Sequence, residues 1–127
     1  MVDQEAFFES VRSGNYAEVK RLIEAEADVN AQANDGSTAL MWASFYGYAD
    51  IAKFLIEKGA DVNVQEIGGW TALIIASQEG HIEVAKLLIE AGAVVSIQDV
   101  FEYTALMKAS RAGHKEIAKL LRAAGAK

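Results

Sequence analysis

Thr38-Ala39-Leu40-Met41, Thr71-Ala72-Leu73-Ile74 and Thr104-Ala105-Leu106-Met107 are three versions of one tetrapeptide, each starting 33 residues after the one before. The same step carries Gly14 to Gly47, Gly80 and Gly113, and Lys20 to Lys53, Lys86 and Lys119. Leu22, Leu55, Leu88 and Leu121 keep it, and Gln32, Gln65 and Gln98 align. Asp28-Val29-Asn30 matches Asp61-Val62-Asn63. A period of this size held over so many columns is the signature of a stacked-repeat architecture.

Within each unit the pattern predicts two short helices. Threonine opens the first, where its hydroxyl can accept from the free N–H groups of the opening turn. Small and apolar residues follow (Leu40, Met41, Ala43), and Gly47, Gly80 or Gly113 ends the run. The second helix places Ile51, Phe54 and Leu55, or Val84, Leu87 and Leu88, at the i, i+3, i+4 spacing of a buried face. Gly59, Gly92 and Gly125 stand where a helix ends in the left-handed conformation. A polar turn leads on to the next threonine.

These residues resemble the ankyrin repeat, a 33-residue unit of a β-turn and two helices with Thr-Pro-Leu-His near its first helix. The resemblance covers the whole chain: Gly80-His81, Gly113-His114, the Lys-Leu-Leu runs and Gly59-Ala60-Asp61-Val62-Asn63 all fit it. It implies an all-α solenoid of stacked helix-turn-helix pairs with protruding β-turns. The expected units are 1–33, 34–66, 67–99 and 100–127, forming a single domain. Departures are specific. Alanine replaces the family's proline in every unit, and Met41, Ile74 or Met107 replaces its histidine, so packing must substitute for that histidine's hydrogen bonds. Glu26 replaces a helix-ending glycine and Glu102 replaces the turn glycine of Gly36 and Gly69.

The end units should carry one polar face each, since only inner repeats are stacked on both sides. Glu18 and Arg21 occupy the columns of Ile51 and Phe54, and Arg122 occupies that of Ile23, Ile56 and Ile89. The first and last units are therefore expected to be caps around two inner repeats.

Composition limits the alternatives. Apolar residues make up 52% of the 127 positions, so a packed core is expected. No apolar run approaches the roughly 18–20 residues that span a bilayer. The start, Met1-Val2-Asp3-Gln4-Glu5, lacks a signal peptide's basic and apolar regions, which makes the cytoplasm the expected location. Without cysteine there is no disulfide, thiolate nucleophile or Cys-based zinc site. A formal net charge of −6 opposes nucleic-acid binding and suits a soluble monomer.

Nothing in the spacing suggests an enzyme or a cofactor site. His81 and His114 share a column and lie one repeat apart, a poor arrangement for a metal. Glu57, Glu83 and Glu90 fall on solvated helix sides, and Ser44, Ser77 and Ser110 form a close-packing column. The columns that vary are different in kind. Asp35, Ser37, Ile67, Trp70, Phe101 and Tyr103 belong to the turns; Trp42, Phe45, Tyr46, Gln78, Glu79 and Arg111 belong to the first helices. In the ankyrin resemblance these are the turn tips and concave helix face, the usual binding surface. The expected function is a protein–protein interaction module, adaptor or inhibitor, with Phe45, Tyr46 and Trp70 forming one aromatic patch that Phe101 and Tyr103 extend. The alternative is an engineered or reconstructed repeat scaffold without a native partner.

Overall fold

The computed structural model describes residues 3–127, so Met1 and Val2, the first two residues of the expected 1–33 unit and of its acidic start, lie outside the described residues. Among the described residues eight helices follow one another: α1 (Gln4–Arg12), α2 (Tyr16–Glu24), α3 (Ala39–Tyr46), α4 (Ala49–Glu57), α5 (Ala72–Glu79), α6 (Ile82–Glu90), α7 (Ala105–Arg111) and α8 (Lys115–Ala123). Consecutive helices pack as hairpins, and the hairpins stack, giving the expected all-α solenoid. Among the described residues the β content is one antiparallel bridge, Gln32 to Thr38.

The repeated threonine starts each first helix as its chemistry requires. Thr38, Thr71 and Thr104 hold extended backbones, and their hydroxyls accept from the amides of Met41, Ile74 and Met107 at 3.3, 3.2 and 3.3 Å. The second helices α4, α6 and α8 begin at Tyr48, His81 and His114 without a side-chain cap. These three rings reach back to the preceding unit instead. Nε2 of His81 donates to the Phe45 carbonyl at 2.9 Å, and Nε2 of His114 to that of Gln78 at 2.9 Å. The Tyr48 hydroxyl donates to the Arg12 carbonyl at 3.3 Å. The rings thus satisfy carbonyls that a helix end leaves open. They also explain the glycine below them: a Cβ on Gly47 would stand 2.5 Å from Nδ1 of His81.

First helices α1, α3, α5 and α7 form one row and second helices α2, α4, α6 and α8 another. The first row packs more closely, and its outer surface is the one that the ankyrin resemblance makes the concave side. Leu55, Leu88 and Leu121 are wholly buried between the rows, with Leu40, Leu73, Ile51 and Val84 beside them. Each such side chain contributes about 1.5–3 kcal/mol by leaving water. Met41 and Ile74 are buried too, so packing does replace the family's histidine in the inner units. Met107, in the same column, is 41% exposed because no further helix pair covers it.

The turns protrude and lean on one another. Each closes through two backbone bonds: Ala33 N to Ser37 O with Gly36 N to Ala33 O, Glu66 N to Trp70 O with Gly69 N to Glu66 O, and Asp99 N to Tyr103 O with Glu102 N to Asp99 O. Successive turns are joined by Ile67 N to Asp35 O at 2.8 Å and Val100 N to Gly68 O at 3.0 Å. Asn30 and Asn63 tie each connecting loop to the next: Asn30 accepts from Asp61 N at 2.8 Å and donates to Gly59 O at 3.1 Å. Asn63 repeats the pattern with Val94 N and Gly92 O. The departures at Glu26 and Glu102 leave the geometry unchanged, since both adopt the left-handed backbone, with φ of 70° and 67°.

Candidate interaction surface

The concave row carries an open groove of about 410 Å³ between α3 and α5. Ser37, Trp42, Phe45, Tyr46, Trp70, Gln78 and Glu79 line it, all singled out by column variation, together with Met41, Glu66 and Ile75. Helical geometry causes this gathering. Trp42, Phe45 and Tyr46 recur at i, i+3 and i+4 on α3 and so share one face. Trp70 enters from the turn before α5, whose amide is fixed by Glu66 Oε1 at 2.9 Å.

The rings do not form one stack. Phe45 and Tyr46 meet edge to face at 5.0 Å, and Tyr46 stacks on Tyr48 at 5.5 Å. Trp42 is half-buried, packed on Phe8 at 4.8 Å with the Arg12 guanidinium over its ring at 5.0 Å. Trp70 shares the groove, and the Lys108 ammonium sits 4.3 Å from its ring centroid. Phe45 and Tyr46 are each 45% exposed, which leaves them available at the surface.

A second depression of about 370 Å³ adjoins the first through Gln78 and is lined by Tyr103, Lys108, Arg111 and Ala112. It contains what the sequence reading missed. Lys108 lies between Trp70 and Tyr103, at 4.3 and 4.5 Å from the two centroids. Its ammonium stands 3.7 Å from Oδ2 of Asp99, whose side chain is completely buried. Oδ1 of Asp99 accepts from the amides of Phe101 and Tyr103 at 2.8 and 2.9 Å. Oδ2 has no hydrogen-bond partner, so Lys108 supplies its only compensation. The available signal was Lys108 itself, a cation in the apolar column of Trp42 and Ile75. Arg111 bonds to the Tyr103 hydroxyl, lies over that ring at 4.8 Å, and is exposed.

The remaining predicted residues lie apart. Ile67 and Phe101 are 79% and 77% exposed at the turn tips and line neither depression, so Phe101 does not extend the groove wall. Asp35 is also at a tip, where the Ser37 amide and hydroxyl hold its carboxyl below the usual carboxylate range.

The two arginines at the ends of the face differ in charge state of their surroundings. Arg12 is bound by Glu5 at 2.5 Å and Glu9 at 3.2 Å, and these bonds raise its pKa. Arg111 has no carboxylate within salt-bridge distance among the described residues. Among those residues no group of three or more His, Asp or Glu side chains is placed to hold a metal ion, and no helix is long and apolar enough to cross a membrane.

A family model described as ankyrin repeats (3 copies) matches residues 2–66 and again residues 63–127. No curated protein gives a significant match to the chain.

Proposed function

Since the chain belongs to the ankyrin-repeat family, whose members generally serve as protein–protein interaction modules and are typically non-enzymatic, we propose that it holds a partner protein against its concave row of first helices, as an adaptor or inhibitor. One observation carries this reading. Seven of the twelve residues singled out by column variation line one groove, while the repeated leucines are buried in the scaffold. A stacked scaffold is rigid before it binds, so little ordering entropy opposes association. Phe45 and Tyr46 then offer aromatic area with few rotamers to freeze.

We also propose the unit boundaries 1–33, 34–66, 67–99 and 100–127, the outer two acting as caps. Their support is the exposed Glu18–Arg21 ion pair and exposed Arg122, in columns that are apolar elsewhere.

Phe45 is the residue on which to test the site, because it lies on the surface while Trp70 also covers Lys108. A partner recovered by pull-down from the native source should bind Phe45→Ala about 2 kcal/mol more weakly in calorimetry. The melting curve of the variant should match that of the parent. Unchanged affinity with an intact fold would move the interface off the concave row.

A further inference from the structure

Charge is distributed unevenly along the stack. Residues 104–127 hold six of the twelve lysines and arginines and one of the eighteen acidic residues, so this last segment is strongly basic in a chain of net charge −6. Two of the six, Lys108 and Arg111, face the concave depressions. Following one column across the units gives Phe45, Gln78 and Arg111; following another gives Trp42, Ile75 and Lys108. The face therefore passes from aromatic over α3, through Ile75, Gln78 and the acidic Glu79 over α5, to cationic over α7.

We infer that the occupant of this face is an extended acidic peptide segment, with a large apolar side chain at the α3 end and an aspartate or glutamate at the α7 end. The inference rests on the concave-face reading and deepens it. Arg111 is the recognising group. Its charge is unspent, its orientation is fixed by the Tyr103 hydroxyl and ring, and a guanidinium fork matches a carboxylate in two parallel bonds. Lys108 contributes less, because Asp99 already stands 3.7 Å away. Glu66 and Glu79 line the groove beside α5 and repel a carboxylate there, which leaves the acid its place over α7. A nucleic-acid backbone fits poorly, since its evenly spaced phosphates would have to pass those same glutamates.

Geometry gives the spacing. Packed helices lie about 8–10 Å apart, so α3 and α7 are separated by roughly 16–20 Å. An extended chain advances about 3.3 Å per residue, which places the apolar residue and the acid about five or six positions apart.

The test is selection of random dodecapeptides displayed on phage against the whole protein, followed by calorimetry on the recovered sequences as synthetic peptides. Recovered peptides should pair an aromatic or large aliphatic residue with Asp or Glu at that spacing. Replacing the acid by its amide, or Arg111 by alanine, should weaken binding about tenfold or more. Arg111→Glu should recover lysine or arginine at the same position, a change of preference that a misfolded variant cannot show. Peptides lost with Phe45→Ala but indifferent to Arg111→Ala and to the amide change would overturn the acidic inference and leave the concave reading standing. Indifference to Phe45 and Arg111 alike overturns both, as does the absence of any enriched sequence. Arg111-dependent binding of an oligodeoxythymidylate, without acidic peptides being selected, would assign the patch to phosphate and overturn the inference.

Discussion

The junction between α3 and α5 and the junction between α5 and α7 are built on the same columns, yet their surfaces have opposite chemistry. At the first, Trp42, Phe45 and Ile75 line an aromatic and aliphatic groove. At the second, Lys108 and Arg111 stand beside Tyr103, with a fully buried Asp99 carboxylate beneath. The helices beneath are alike: threonine caps, wholly buried leucines and histidine staples recur in both. Apart from Lys108, which neutralises the buried Asp99, folding therefore does not demand either surface. The scaffold columns specify the stack, and the concave columns are free to specify what the stack meets.

The largest expected effect is at the second junction. Lys108→Met leaves the Asp99 carboxylate buried without a counter-charge, which should cost about 3–5 kcal/mol. Ile75→Met, which puts the same residue in the same column one unit earlier, conserves volume and should cost less than about 1.5 kcal/mol. Adding Asp99→Asn to Lys108→Met should restore most of the loss, because Oδ1 can still accept from Phe101 and Tyr103. Urea midpoints for the four proteins measure this. If Lys108→Met and Ile75→Met behave alike, the Asp99–Lys108 pair is not what distinguishes the junctions.

Beneath the surface the two junctions should respond equally. Leu55 and Leu88 are wholly buried in the same column. Each truncation to alanine should cost about 2–5 kcal/mol, and the two losses should be similar. A loss below about 0.5 kcal/mol at either is a surface-sized effect and would contradict its burial.

How much of this was legible beforehand depended on distance along the chain. The fold was visible because its determinants recur at one step: the threonine cap, the glycine under the ring and the buried leucine each appear in adjacent units. Phe45 and Tyr46 were visible as a pair because they are adjacent at the end of one helix. Lys108 and Asp99 were not, because a turn and a helix start separate them and only the folded chain brings the ammonium to 3.7 Å from the carboxylate. The position of Phe101 was misjudged for a related reason: its column lies at the turn tip, which projects beyond the groove formed by the helices. Net charge concealed the basic last segment, since a total of −6 averages over opposite ends.

The smallest expected effects concern glycine columns, where the presence or absence of a neighbour decides the sign. Gly69 has φ of 80°, and a Cβ there would lie 2.8 Å from the Val100 amide nitrogen of the next turn. Gly69→Ala therefore combines the left-handed conformation with a backbone clash and should cost more than about 1 kcal/mol. Glu102 occupies the same column in the last turn, at φ of 67°, and is exposed. It retains only the conformational cost, as does Glu26, whose column partners Gly59, Gly92 and Gly125 have nothing within 4 Å of a built Cβ. Glycine also loses more freedom on folding, which offsets part of the relief. Glu102→Gly and Glu26→Gly should thus each raise stability by about 0.5–1 kcal/mol. Chemical melts of the three variants settle the matter. A destabilised Glu102→Gly would mean that its side chain supports the last turn, and a neutral Gly69→Ala would mean that the turns yield more than their hydrogen bonds imply.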